Sequence, residues 1–255
     1  MKVNRRGFLK ITGLVVAGIA IPPVFKSFAS TEASTSLTTE SQSGTNLAMV
    51  IRLGICPDGC TDCIDACNKV HNIPDIDNTN HEIKWIWTEH YENVFPEQQS
   101  EYIDHSLVEL PVLVLCNHCD NPPCTQVCPV KATWKREDGI VMMDYHRCIG
   151  CRFCMAACPY GSRSFNWRDP RPFVKEPVDP NYPTRTKGVV EKCNFCEERL
   201  RDGLIPACVE ACSYGALFFG NLEDKDSEVR KLVSTNYTIR RHSNLGTHPK
   251  VYYLI

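Results

Sequence analysis

The chain has 255 residues, 43% of them hydrophobic, and holds sixteen cysteines; that is enough apolar mass for one or two cores, so it need not be a miniature stapled by disulfides. Basic residues number 28 and acidic ones 30, and because residues 1–29 hold five of the basic and none of the acidic, the remainder carries 23 − 30 = −7. Such acidity argues against nucleic acid as a partner, and with no later run of eighteen apolar residues the body reads as soluble or peripheral.

In chain order the first signal is Asn4-Arg5-Arg6-Gly7-Phe8-Leu9-Lys10, ahead of an apolar stretch from Ile11 to about Val24. The pair Arg5 and Arg6 marks residues 1–29 as a twin-arginine signal peptide. Its apolar stretch is short for a membrane span and is interrupted by Pro22 and Pro23. Ser27 and Ala29 suit cleavage after Ala29, with retention as an uncleaved anchor left open. The expected location is the periplasmic, or extracytoplasmic, face of the cytoplasmic membrane. Residues 30–46 are polar and read as a flexible tether, so the folded part starts near Leu47.

From there the cysteines fall into four groups of four, with none left over: Cys56, Cys60, Cys63, Cys67; Cys116, Cys119, Cys124, Cys128; Cys148, Cys151, Cys154, Cys158; and Cys193, Cys196, Cys208, Cys212. The third group, Cys148-Ile-Gly-Cys151-Arg-Phe-Cys154-Met-Ala-Ala-Cys158-Pro159, is the C-x2-C-x2-C-x3-C-P run of a bacterial ferredoxin. Three thiolates so spaced can wrap one face of a cubane, while the fourth ligates the neighbouring cluster. The second group follows the same plan with an enlarged loop before Cys124. The first is C-x3-C-x2-C-x3-C and the fourth C-x2-C-x11-C-x3-C.

Applying the ferredoxin exchange rule predicts four [4Fe–4S] clusters. Cluster A takes Cys56, Cys60, Cys63 and Cys212; cluster B takes Cys116, Cys119, Cys124 and Cys158. Cluster C takes Cys148, Cys151, Cys154 and Cys128; cluster D takes Cys193, Cys196, Cys208 and Cys67. Disulfides and zinc are the competing readings. Four repeats of ligand spacing fit poorly with a disulfide framework, and zinc ribbons seldom finish with C-x3-C-P. Covalent haem is excluded, because no C-x2-C is followed by histidine.

The fold class expected is α+β and loop-rich: two bacterial 2[4Fe–4S] ferredoxin-like modules in one chain, with an insertion and a C-terminal tail. The inner module spans 111–167. In it Pro111–Leu115 reads as a strand, Gln126–Lys131 as a short helix, and 132–135 with 140–143 as a hairpin turning on Asp138-Gly139. A second short helix and 163–166 complete a β-α-β-β-α-β unit. The outer module joins 47–110 to 168–221 and contains the insertion 68–110, rich in aromatics (Trp85, Trp87, Tyr91, Phe95, Tyr102). Residues 222–255 form the tail, and both segments are expected to wrap the cluster core or face a partner.

With these groups in this order, the chain resembles the four-cluster ferredoxin-like subunits of membrane-associated bacterial and archaeal oxidoreductases (the NrfC/PsrB type). The likeness covers essentially everything after residue 47. The segments 164–171, 184–196 and 237–241, with Tyr252-Tyr253, look most like the exported iron–sulfur subunits of sulfite-reduction-associated Dsr membrane complexes, which oxidise menaquinol. That resemblance implies an NrfD-like quinone-interacting integral membrane subunit, a multihaem cytochrome c and further subunits of a membrane redox complex as partners, in dissimilatory sulfur metabolism. The alternatives are the electron-transfer subunit of a molybdopterin oxidoreductase and an independent exported ferredoxin.

No dinucleotide fingerprint, Walker loop or nucleophile motif is present, so no catalytic residue is assigned and the chain reads as a relay of single electrons. Arg147, Arg152 and Lys192, and the ligand-adjacent His118 and His146, are candidates for tuning cluster potentials, or else plain structural residues.

Overall fold

The computed structural model describes residues 44–57 and 59–255. Arg5, Arg6, the signal 1–29 and residues 30–43 of the tether lie outside them. In chain order the main elements are β1 (Leu47–Arg52), α1 (Asp62–Val70), β2 (Ile86–His90), α2 (Tyr91–Val94), α3 (His105–Val108), β3 (Pro111–Leu115), α4 (Pro123–Gln126), β4 (Thr133–Lys135) and β5 (Val141–Met143). They continue with α5 (Phe153–Ala156), β6 (Ser164–Phe165), β7 (Val190–Glu191), α6 (Glu197–Arg201), α7 (Ala207–Glu210), β8 (Leu217–Asn221), α8 (Glu228–Thr235), β9 (Thr238–Ile239) and β10 (Val251–Leu254). Most are short because each cysteine group needs irregular backbone around it. The result is a loop-rich, ferredoxin-like α+β fold.

The largest sheet has the order β8-β1-β10-β9. Strand β1 is apolar at nearly every position because both faces are covered. Ala48 and Val50 pack with Leu222, Val229 and Leu254 beneath α8, while Met49 and Ile51 join the main core with Trp85, Phe95 and Tyr253. β1 runs antiparallel to β8, with Ile51 opposite Leu217. The chain leaves β1 toward Cys56 at the edge where it enters β8 after Cys212. Two cysteines far apart in sequence are thereby made neighbours by one strand pairing.

Two sequence expectations are corrected here. The helix expected at 126–131 lies at Pro123–Gln126, because consecutive prolines 122 and 123 pre-set its first turn; 127–131 is a turn that ends beyond Pro129. The β-α-β-β-α-β unit does not close on itself. β3 pairs with β2 from the insertion and β6 pairs with β7, leaving β4–β5 as the module's own hairpin.

Residues 222–255 are more than a tail. β10 lies parallel to β1, and the segment before it pairs with the second cysteine loop. Asp120 N–H donates to His248 O, Asn121 N–H to Thr247 O, and Lys250 N–H to Asn117 O, all within 3.0 Å. Alternation of buried Val251 and Tyr253 with half-buried Tyr252 is the strand signature that composition alone obscured.

The insertion 68–110 behaves likewise. Trp85, Tyr91 and Phe95 are core residues, whereas Tyr102 is 86% exposed. Trp85 is held by a buried polar knot: its Nε1–H donates to Glu191 Oε2 (3.1 Å), which also accepts from Arg185 Nε (2.7 Å). Arg185 in turn caps the carbonyls of His71 and Asn72 at the end of α1. Both charges are paired and hydrogen-bonded, the condition for holding an ion pair in a core.

Candidate metal centres

The sixteen thiols are gathered into four sets. Cys56, Cys60, Cys63 and Cys212 line one cavity, with Leu53 and Tyr214 on its wall. Cys116, Cys119, Cys124 and Cys158 line a second, and Cys128, Cys148, Cys151 and Cys154 a third. Cys67, Cys193, Cys196 and Cys208 form the fourth, the only one of the four whose members are all buried. Helices α1 and α7, which carry Cys63, Cys67 and Cys208, pack on each other and bring the first and fourth sets side by side. α4 packs on α5 and does the same for the second and third.

Crowding is visible in the thiols' acidity. Burial first, and then Cys212, Cys56 and Cys60, push the Cys63 thiol up to about 12. Burial and Cys116 do the same to Cys119. Cys193 and Cys208 are also held well above the ordinary thiol value, through burial and then Cys67. Four buried thiolates held together need a compensating cation, and such a donor set suits iron, which deprotonates thiols on binding.

Backbone donors are already aimed at sulfur: Ala132 N–H at Cys128 (3.2 Å), Ala216 N–H at Cys212 (3.3 Å), and Phe195 and Ala207 N–H at Cys193 and Cys196 (both 3.4 Å). The first two stand four residues after a fourth-position cysteine, so the same device serves two groups. N–H···S bonds are among the levers that set cluster potential. The residues present therefore fit [4Fe–4S] clusters.

The residue before the second cysteine is left-handed in all four loops: Gly59, His118, Gly150 and Phe195, with φ of 76°, 41°, 69° and 58°. A Cβ at Gly150 would collide with the Gly188 carbonyl. The other two positions hold rings in a conformation that costs a non-glycine residue roughly 1–2 kcal/mol. Those rings stack face to face, 3.7 Å between centroids and 17° between planes. His118 is fully buried; its Nδ1 accepts the Val141 N–H (3.1 Å), which places the proton on Nε2. Burial and the nearby Lys192 and Lys250 hold its pKa well below the usual histidine range, so the ring is neutral.

The other tuning candidates separate by position. Lys192 is buried, with Nζ donating to the carbonyls of Val141 and Cys193; burial lowers its pKa, against the Cys116 thiolate. Arg152 lines the third cavity and lies over Trp167. Arg147 and His146 are surface residues beside Asp144.

Two groups escaped the sequence reading. Arg163 is buried, and although desolvation opposes it, the thiolates of Cys124, Cys154, Cys116 and Cys158 hold its pKa above the ordinary arginine value. It is the cation shared by the second and third sets. His71 sits 3.6 Å from the Cys67 sulfur through Nδ1 and 2.8 Å from Glu198 Oε1 through Nε2. The repeat Cys116-Asn-His-Cys119 and Cys193-Asn-Phe-Cys196 was the sequence signal for the stacked pair; nothing local marked Arg163 or His71.

Fold and site together define a ferredoxin-like, cysteine-ligated iron–sulfur protein. A family model described as a 4Fe-4S dicluster domain matches residues 111–172 and 174–222. The chain is 39% identical to the Hdr-like menaquinol oxidoreductase iron-sulfur subunit 1 of Archaeoglobus fulgidus, over 98% of this chain and 97% of that one. It is 39% identical to the menaquinone reductase iron-sulfur cluster-binding subunit of Nitratidesulfovibrio vulgaris, over 81% and 87%. A tetrathionate reductase subunit of Salmonella typhimurium is 36% identical over 100% and 89%. The chain belongs to the NrfC/PsrB-type family of 4Fe-4S subunits, which carry electrons for oxidoreductase complexes and leave catalysis to other subunits.

Proposed function

We propose that the protein carries four [4Fe–4S] clusters, A to D, ligated by the four thiol sets, and relays single electrons along the order A–D–B–C. The observation that carries this is the grouping of all sixteen thiols into four sets that neighbour one another in that order, through the packing of α1 on α7, the His118–Phe195 stack and the packing of α4 on α5. Cys63 acts on Cys208, Cys116 on Cys193, and Cys124 on Cys154. Sets D and B lie inside. Sets A and C reach the surface, with Cys56 exposed at one end and Ile149 and Phe153 more than half exposed beside the other. Electrons would come on and off there. The outer module, with the insertion and residues 222–255, holds A and D; the inner module holds B and C.

The partners we propose are a quinone-reactive NrfD-like membrane subunit and a periplasmic multihaem cytochrome c, in a complex of the Dsr type. Support comes from the segments resembling that group and from the menaquinol-oxidising function named for the Archaeoglobus relative. Arg5 and Arg6 support export by the twin-arginine route to the periplasmic side. The tetrathionate reductase relative, alignable over the whole chain, supports the second reading, service to a molybdopterin enzyme. Anaerobic iron and sulfide analysis with redox-titrated EPR tests the ligand map: four clusters are expected, and substantially fewer would refute it. Co-purification separates the partners: a quinone-binding subunit with cytochrome c supports the first reading, a molybdopterin subunit the second.

A further inference from the structure

The four ligand loops share one backbone shape but solve it in two ways. Loops of the surface sets A and C place glycine, Gly59 and Gly150, at the left-handed position before the second cysteine. Loops of the interior sets B and D place His118 and Phe195 there, and each ring's partner is the other. A glycine at either position would relieve the backbone and leave a gap between two ligand loops. The interior loops instead hold strained residues whose rings fill that space.

The stack is also fixed from outside. Val141 N–H holds His118, and the Val141 carbonyl accepts Lys192 Nζ, which bridges to Cys193 O. Phe195 meets Phe219 of β8 edge-on at 5.2 Å. Cys116 and Cys119 flank one ring and Cys193 and Cys196 the other, so four proposed ligands of two adjacent sets are tied to one pair of rings.

We propose that the His118–Phe195 stack couples the two interior clusters, holding the Cys116–Cys119 and Cys193–Cys196 loops at a fixed separation and forming the packed path across which the electron passes between them. This rests on the ligand map above. The step is a one-electron exchange in which one cluster is oxidised as its neighbour is reduced, with no proton or further reactant. His118 and Phe195 are positioning residues and never change oxidation state.

The test uses the anaerobically purified holoprotein and four variants. F195L and H118N each remove one ring, asparagine being tolerant of left-handed backbone. F195Y and H118F keep both rings, and Phe195 itself shows that phenylalanine can occupy this turn. Iron and sulfide are counted first. The readouts are the spin–spin interaction between interior clusters in the EPR spectrum of the fully reduced protein, and the rate of electron redistribution within the protein after one-electron photoreduction.

F195L and H118N, with full cluster content, are expected to weaken the interaction and slow redistribution severalfold, while F195Y and H118F stay at the wild-type level. Unchanged coupling in the ring-removing variants would overturn the proposal. So would an H118F protein as impaired as H118N, because the imidazole's bond to Val141, and not the stack, would then carry the effect. If both ring-removing variants lose iron, the H118F comparison decides in the same way. Fewer than four clusters in the wild type would instead break the ligand map.

Discussion

The third and fourth cysteine loops begin alike, C-x2-C with a left-handed residue before the second cysteine, yet they are built for opposite surroundings. Around Cys148 the loop is glycine-turned and sparsely covered, with Ile149 63% and Phe153 60% exposed. Around Cys193 it is ring-turned and enclosed, with Phe195, Lys192 and His71 all essentially inaccessible. The same C-x2-C start thus yields an exposed loop in one place and an enclosed one in the other. What distinguishes them is the residues between the ligands, which decide how much protein surrounds each site.

The comparison breaks most severely through a shared ligand. Cys67→Ala lies in the first group by sequence but in the enclosed set by position. EPR of the variant is expected to show loss of the Cys193–Cys196–Cys208 cluster with that of Cys56–Cys60–Cys63 kept. The reverse pattern would dismantle the exchange rule.

Next in size is the buried pair beside the enclosed set. Glu191→Ala leaves the Arg185 charge buried and unpaired, with its Nε–H and the Trp85 N–H lacking an acceptor, and should cost about 3–5 kcal/mol in denaturant unfolding. Removing Asp75, whose partner Lys175 is 80% exposed, should leave the unfolding midpoint nearly unchanged.

The glycine-turned loops offer a finer contrast. Gly150→Ala meets the Gly188 carbonyl and should cost about 2–3 kcal/mol with loss of the adjoining cluster, combining overpacking and left-handed strain. Gly59→Ala meets nothing within 4 Å and should cost about 1 kcal/mol, with its cluster retained. Equal losses would remove the distinction between tight and open loops.

The smallest expected effect is a pH dependence. Burial opposes ionisation of Asp120, but Lys250 and Lys135, each 2.9 Å away, hold its carboxyl below the usual range. A depressed carboxyl contributes stability that is present above its ordinary pKa of about 3.9 and is lost as the pH falls through the lower folded value. Asp120→Asn should flatten that acid limb in thermal unfolding, leaving the profile near neutrality parallel to the wild type.

Sequence reading reached the gathering of the thiols into sets because close spacing in the chain limits how far apart the cysteines of one loop can lie. It reached β3, the β4–β5 hairpin and the start of β1 for the same local reason, runs of apolar residues bounded by turns. It missed what depends on distant partners. Nothing near Trp85 announces that β2 completes a ladder with β3, and Arg163 gains its role from four sulfurs contributed by two loops. Residues 222–255 looked peripheral because β10 is only four residues long and its partner lies some two hundred positions earlier.

That last pairing sets an order of events. β1 leaves the ribosome some two hundred residues before β10, yet they are neighbours in one sheet. Until Leu254 has been added, one edge of β1 lacks its ladder and the second cysteine loop lacks the segment that clasps it. Contacts this non-local are slow to form. Closure of the sheet therefore waits for β10, and until that strand arrives the second cysteine loop stands unclasped.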